Sequence, residues 1–194
     1  RLTAAPSFQF AGAGPTATLG PLQLQLSGVQ LQDAASAVSA PVLQTDAAQS
    51  TLLFTNGSLQ GQLDGVRLSL AQGLSMRQGD NKASIGASSL ESSSVKLDSG
   101  QASAGVTADK PRLQLTSVAA SQSAQSVRLD TLTLKGDRLT LRARESSQLQ
   151  WDALALDLAG LQLTDSAQDL ELALAGFTLA TPSVALSQDG AGVS

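Results

Sequence analysis

Six aspartates, Asp64, Asp98, Asp130, Asp157, Asp165 and Asp169, are the residues best placed by type to carry acid–base chemistry. A glycoside hydrolase needs two carboxyls held across a cleft, one as acid and one as base or nucleophile. Here each aspartate stands beside or between alternating apolar runs, and their spacing fixes no pair. Exposed strand faces and turns account for them. Gly79, Asp80 and Asn81 begin like a calcium loop, but the later ligands of such loops do not follow, so the triplet reads as an ordinary turn. Serine is abundant, yet histidine is absent. A Ser–His–Asp triad is therefore excluded, and no motif supports a Ser–Lys dyad. Absent cysteine removes disulfides, thiolate metal sites and cysteine nucleophiles, and absent histidine removes the usual general base near neutral pH. The reading is a protein that is not an enzyme, with no metal and no cofactor.

One basic cluster remains: Lys135, Arg138, Arg142 and Arg144. Arg138, Arg142 and Arg144 share parity, so an unbroken strand would project them from one face. That face is either plain solvated surface or a contact for an anionic lipid head group or an acidic partner. Nucleic acid is not the partner. Net charge is −4, only 14% of residues are charged and 3% are aromatic, whereas nucleic-acid binding asks for basic patches and stacking rings. Trp151, the single tryptophan, reads as a core or rim residue.

The elements that must position any site are strands. Period-2 alternation recurs through Val66 to Leu70, Val95 to Leu97, Leu113 to Leu115, Val127 to Leu129, Leu132 to Leu134, Leu139 to Leu141 and Val184 to Leu186. Turn residues separate the runs. Helical periodicity is nearly missing; Asp33 to Ala40 and Asp46 to Thr51 read as either a turn or two of helix or Ala/Ser-rich loop. Ala83 to Ser89 reads as small-residue strand, and Gly79 to Lys82 as an exposed loop tip.

A template repeats four times: LQLQLSGVQL from Leu22, LQGQLDGVRL from Leu59, LALDLAGLQL from Leu154 and LELALAGFTL from Leu170. Before each glycine, at Gly28, Gly65, Gly160 and Gly176, the apolar residues hold one parity; after it they hold the other. Side chains alternate with period two, so a strand keeps its apolar face through such a switch only by taking in one extra residue. That reads as a glycine β-bulge or bend, or else as a tight turn between two short strands. Either gives an elongated antiparallel all-β meander. Bends that line up curl it into a groove with a leucine-lined concave face; a closed β-sandwich or a β-solenoid is the alternative architecture. Ten to twelve strands would extend about 50 Å. The groove residues are then Leu22, Leu24, Leu26, Val29 and Leu31; Leu63, Val66 and Leu68; Leu154, Leu156, Leu158, Leu161 and Leu163; and Leu170, Leu172, Leu174, Phe177 and Leu179. No linker interrupts residues 1–194, which read as a single β domain. The chain starts at Arg1 and shows neither a signal peptide nor an apolar run of about 18 residues, so it reads as a segment of a longer chain.

These glycine-punctuated leucine strands, with Gln, Ser and Thr between the leucines, resemble the AsmA-like superfamily of Gram-negative envelopes, which includes TamB-type proteins. The resemblance implies a long sheet rolled into a hydrophobic groove, and a role in lipid transfer or outer-membrane assembly without catalytic residues. It implies a periplasmic or cell-envelope location. Partners would be lipid acyl chains or another envelope protein, with membrane association through segments outside this chain. The competing expectation is a structural or adhesive secreted β-array with a fully packed core, such as a secretion-system component.

Overall fold

The computed structural model describes residues 2–3, 6–11, 14–32, 36–55, 58–100, 103–143 and 146–189. It is one 16-stranded sheet in which every pairing is antiparallel. The strands are β1 (Leu2–Thr3), β2 (Pro6–Ala11), β3 (Gly14–Leu19), β4 (Leu22–Gln32), β5 (Ser36–Ala47), β6 (Gln49–Thr55), β7 (Ser58–Leu70) and β8 (Leu74–Gln78). They continue with β9 (Asn81–Ile85), β10 (Ser88–Gly100), β11 (Ser103–Asp109), β12 (Arg112–Gln122), β13 (Gln125–Lys135), β14 (Arg138–Ala143), β15 (Ser146–Asp165) and β16 (Leu170–Asp189).

The strand order conceals a simpler plan. β15 and β16 each cross the whole sheet in 20 residues. Each earlier crossing is broken near its middle into two strands: β1 with β2, β3 with β4, β5 with β6, β7 with β8, β9 with β10, β11 with β12, and β13 with β14. The result is nine passes of a meander, each paired only with the pass before and after it. Stacked about 4.8 Å apart, they extend about 38 Å, shorter than the length expected from ten to twelve strands. The segments read as helix or loop are strand: Ser36–Ala47 and Gln49–Thr55 run through both, while 33–35 lie outside the described residues. Their alanines and serines hold cross-strand register with β4 and β8, and that pairing overrides their weak local preference. Asn81 and Lys82, read as loop tip, open β9; the turn itself is Gly79 and Asp80.

Two lines cross all the passes. On the first, Ser94 pairs with Asp64 and Ser92 with Val66, so Gly65 faces Ser93. The same register carries the line through Ala48, Lys110, Asp137 and Ala153 to Pro182. The second runs from Gly28 and Pro41 through Gly73, Gly86, Ser117, Asp130 and Gly160 to Ala175. Among the described residues, every positive φ lies on one of these lines or in a hairpin turn. Alternate passes supply the left-handed residue: Gly65 at 60°, Lys110 at 50° and Ala153 at 50° on the first line. On the second they are Gly28 at 68°, Gly73 at 76°, Ser117 at 51° and Gly160 at 68°. Pairing keeps the same register on both sides of Gly28, Gly65 and Gly160. Those three glycines therefore add no residue that a neighbouring strand lacks, and the sheet is creased there as a whole. The pass of β7 and β8 differs at the second crease: the three residues between Leu70 and Leu74 face the two between Ile85 and Ser88, a bulge of one residue ending at Gly73, and the same shift appears against β5. Gly176 is off the line; it pairs regularly with Ala159, and Ala175 faces Gly160. Prolines, which cannot donate to the ladder, stand on the creases at Pro21, Pro41 and Pro182.

The creases divide the sheet into three panels. Parity switches at the creases through Gly28, Gly65 and Gly160; between Leu70 and Leu74, where it does not, the extra residue has the same effect, so the apolar residues stay on one face. That face is not buried. Among the described residues the only buried apolar side chain is Ala47. The accessible surface is 12759 Å², against about 8,600 Å² for a compact monomer of this mass. The architecture is an open, creased meander and not a sandwich closed over a core.

Candidate functional site: an apolar trough

The trough is built from cross-strand rows. In the central panel Leu68 faces Leu90, Leu90 faces Leu113, Leu113 faces Leu134, Leu134 faces Leu156, and Leu156 faces Leu179. Six consecutive passes thus present leucine at one level. Directly opposed apolar pairs contribute about 0.2–1 kcal/mol each, so the row fixes register as well as forming the floor. Beside it Leu132, Leu158 and Phe177 make a second row. Across the second crease, Met76, Ala83, Ala120, Val127, Leu163 and Leu172 continue the apolar face. This panel ends in a polar rim, where Gln78, Asn81, Gln122, Gln125 and Asp165 take successive places in register.

Across the first crease the row is Leu52, Gly61, Leu97, Val106, Leu141, Leu149 and Leu186. It lines a cavity of about 610 Å³ together with Leu59. The apolar face folds inward at this crease, because Trp151 on the first panel covers Gly136 on the central one. A Cβ on Gly136 would collide with the indole ring and with the Asp152 carbonyl. The indole Nε1 is buried there without a hydrogen-bond partner.

The opposite face carries the charges. Arg67 meets Glu91 at 3.4 Å and Lys135 meets Asp157 at 3.7 Å, all largely exposed. Arg138 donates to Asp109 at 2.9 Å, and the Ser94 hydroxyl donates to the other Asp109 oxygen at 3.0 Å. The Arg138 bond, then that from Ser94, hold the Asp109 carboxyl below its usual pKa, and Asp109 in turn raises that of Arg138. Asp165 is lowered first by the Gln125 amide. Asp64 accepts from Gln62, and Asp98 faces Gly105. Asp130 stands on the second crease and Asp169 in the last hairpin turn. No group of three potential metal ligands occurs among the described residues.

Apart from Val29 and Leu31, whose side chains lie outside the described ones, the expected groove residues fall on this face by register. Leu22 faces Ala47, Leu24 Thr45 and Leu26 Leu43; Val29 and Leu31 are placed by backbone pairing with Ala40 and Val38. Leu63 faces Val95, Val66 faces Ser92, and Leu68 joins the leucine row. Leu154 faces Thr181, Leu161 faces Leu174, and Leu170 reaches the rim opposite Asp165. Of the basic cluster, Arg138 is engaged by Asp109, Arg142 lies four residues along the same strand, and Arg144 lies outside the described residues. Sequence reasoning missed the first-panel row. Its alternation was visible at Leu97 and Leu141, but those runs lack the glycine template. No protein family, curated protein or solved structure matches the chain.

Proposed function

We propose that the chain is a non-enzymatic cell-envelope protein of a Gram-negative bacterium whose trough holds or passes lipid acyl chains. One observation carries this reading: the apolar face has no cover. Among the described residues fifteen large apolar side chains are exposed, Leu172 at 54% and Phe177 at 47% among them, while Ala47 alone of the apolar ones is buried. Contiguous apolar surface beyond a few hundred Å² is rare on soluble monomers unless something binds it. The trough, about 38 Å long, exceeds the depth of one leaflet of a bilayer core about 30 Å thick, so an acyl chain fits along it. The resemblance to AsmA-like proteins points the same way. A structural array with a packed interior would need Leu172, Leu174 and Leu179 covered.

The test is Leu156→Asp, at the centre of the leucine row. Native mass spectrometry and titration with a fluorescent palmitate analogue report lipid on the parent and on the variant. An open trough tolerates the charge, so the variant keeps its β-sheet circular dichroism and loses lipid. A parent chain that takes up no palmitate, or a variant that unfolds as a buried unpaired charge demands, would reject the proposal.

A further inference from the structure

The third panel carries a second cavity, of about 400 Å³, across β5, β8, β9, β12 and β13, which also touches Met76, Ala83, Ala120 and Val127 of the apolar row. Two neighbouring cross-strand rows line it. In one, Arg77 faces Lys82 and Lys82 faces Ser121. In the other, Ser75 faces Ser84, Ser84 faces Ala119, and Ala119 faces Arg128. Small serines and alanines form the floor, and three cations stand around it. No carboxylate lines it. The nearest acid along the first row is Glu171, beyond Ser126 and Thr164.

Like charges directly opposite one another destabilise a sheet. Elsewhere in the sheet Arg67, Lys135 and Arg138 each meet an acid. Arg77 and Lys82 instead meet each other, and among the described residues neither they nor Arg128 form an ion pair. The Arg77 Nε donates to the Gly79 carbonyl at 3.2 Å, which orients the guanidinium. Guanidinium and ammonium donors around small hydroxyls match a tetrahedral oxyanion, which accepts several charge-assisted hydrogen bonds at once.

We propose that this cavity binds a phosphate group, either free or as a lipid head group. The proposal is carried by the cations and hydroxyls and does not rest on the trough reading. The 194-residue chain is titrated with inorganic phosphate in a calorimeter and floated with phosphatidylglycerol or phosphatidylcholine vesicles. The site variant is R77Q/K82Q/R128Q, and the control K96Q/K110Q/R112Q removes the same charge elsewhere. At low salt the site variant weakens binding at least tenfold and the control less than twofold. Binding of inorganic phosphate that competes with vesicles supports a general phosphate site. Binding of phosphatidylglycerol vesicles alone, lost in the site variant, supports a head-group site. No binding of either probe by the parent, or equal losses in the two triple variants, would overturn the proposal. Leu156→Asp should leave this binding intact, so the two sites fail separately.

Discussion

The creases make a quantitative demand on individual glycines. Gly28 has φ +68° and open space where a Cβ would go, whereas Gly176 has ordinary backbone and its nearest neighbour, the Leu158 carbonyl, is 3.6 Å from that position. Gly28→Ala therefore costs only the left-handed conformation, about 1–2 kcal/mol for an L-residue. Gly176→Ala meets no clash and restricts the unfolded chain, a gain of about 0.4–1 kcal/mol. The two alanine variants should differ by about 1.4–3 kcal/mol. Gly160→Ala should cost more than Gly28→Ala at the same φ, because its Cβ would collide with the Asp130 carboxylate. The converse applies at Ala153, where φ is 50°. Ala153→Gly removes the left-handed penalty but adds chain entropy of about 0.5–1 kcal/mol, leaving it neutral or slightly stabilising. Urea unfolding followed by circular dichroism measures all four. If Gly28→Ala were as benign as Gly176→Ala, or Ala153→Gly clearly destabilising, the crease would not be a left-handed device and the account of the fold would fail.

Two further outcomes are expected. Folding favours the ionised form of Asp109, since its pKa is lowered in the native state; that contribution is complete above the ordinary carboxylate pKa of about 3.9 and fades as pH falls through the lowered value. Asp109→Asn should cost about 1 kcal/mol at neutral pH and flatten the acid limb of the urea midpoint plotted against pH; an unchanged acid limb would count against the Arg138 and Ser94 bonds. Gly136→Ala should push the Trp151 ring from its place, costing about 1–3 kcal/mol by overpacking and shifting the indole emission. Unchanged emission would mean the ring does not cover the central panel.

Period-2 alternation at Leu154 to Leu158 and Leu170 to Leu174 was enough to read strands, and the parity switch after Gly28, Gly65 and Gly160 was enough to read a crossing line. The rest of each line was hidden for a physical reason. Once glycines on alternate passes set a crease, Lys110, Ser117 and Ala153 adopt left-handed backbone that their own types disfavour, so no local signal marks them. Pro21, Pro41 and Pro182 were visible breaks in alternation, but only pairing shows that they share lines with the glycines. Gly176 misled because its template copy is intact while the crease passes through Ala175. The phosphate cavity was illegible, since Arg77, Lys82 and Arg128 come together only through β8, β9, β12 and β13. Charge spacing within one strand favoured Arg138 and Arg142 instead, one of which is neutralised by Asp109.

Because each pass touches only its two neighbours, the most widely separated paired residues are Ser146 and Asp189. Among the described residues no strand pairing ties the beginning of the sheet to its end. Folding needs no long loop closure, and stability accumulates locally, as in a one-dimensional array. Hairpins alternate between the two sides, so the unit that can be gained or lost without reversing chain direction is a pair of passes, about 10 Å of sheet. The molecule is graduated like a ruler, and its reach can change in steps of that size while the chemistry at every other mark stays the same.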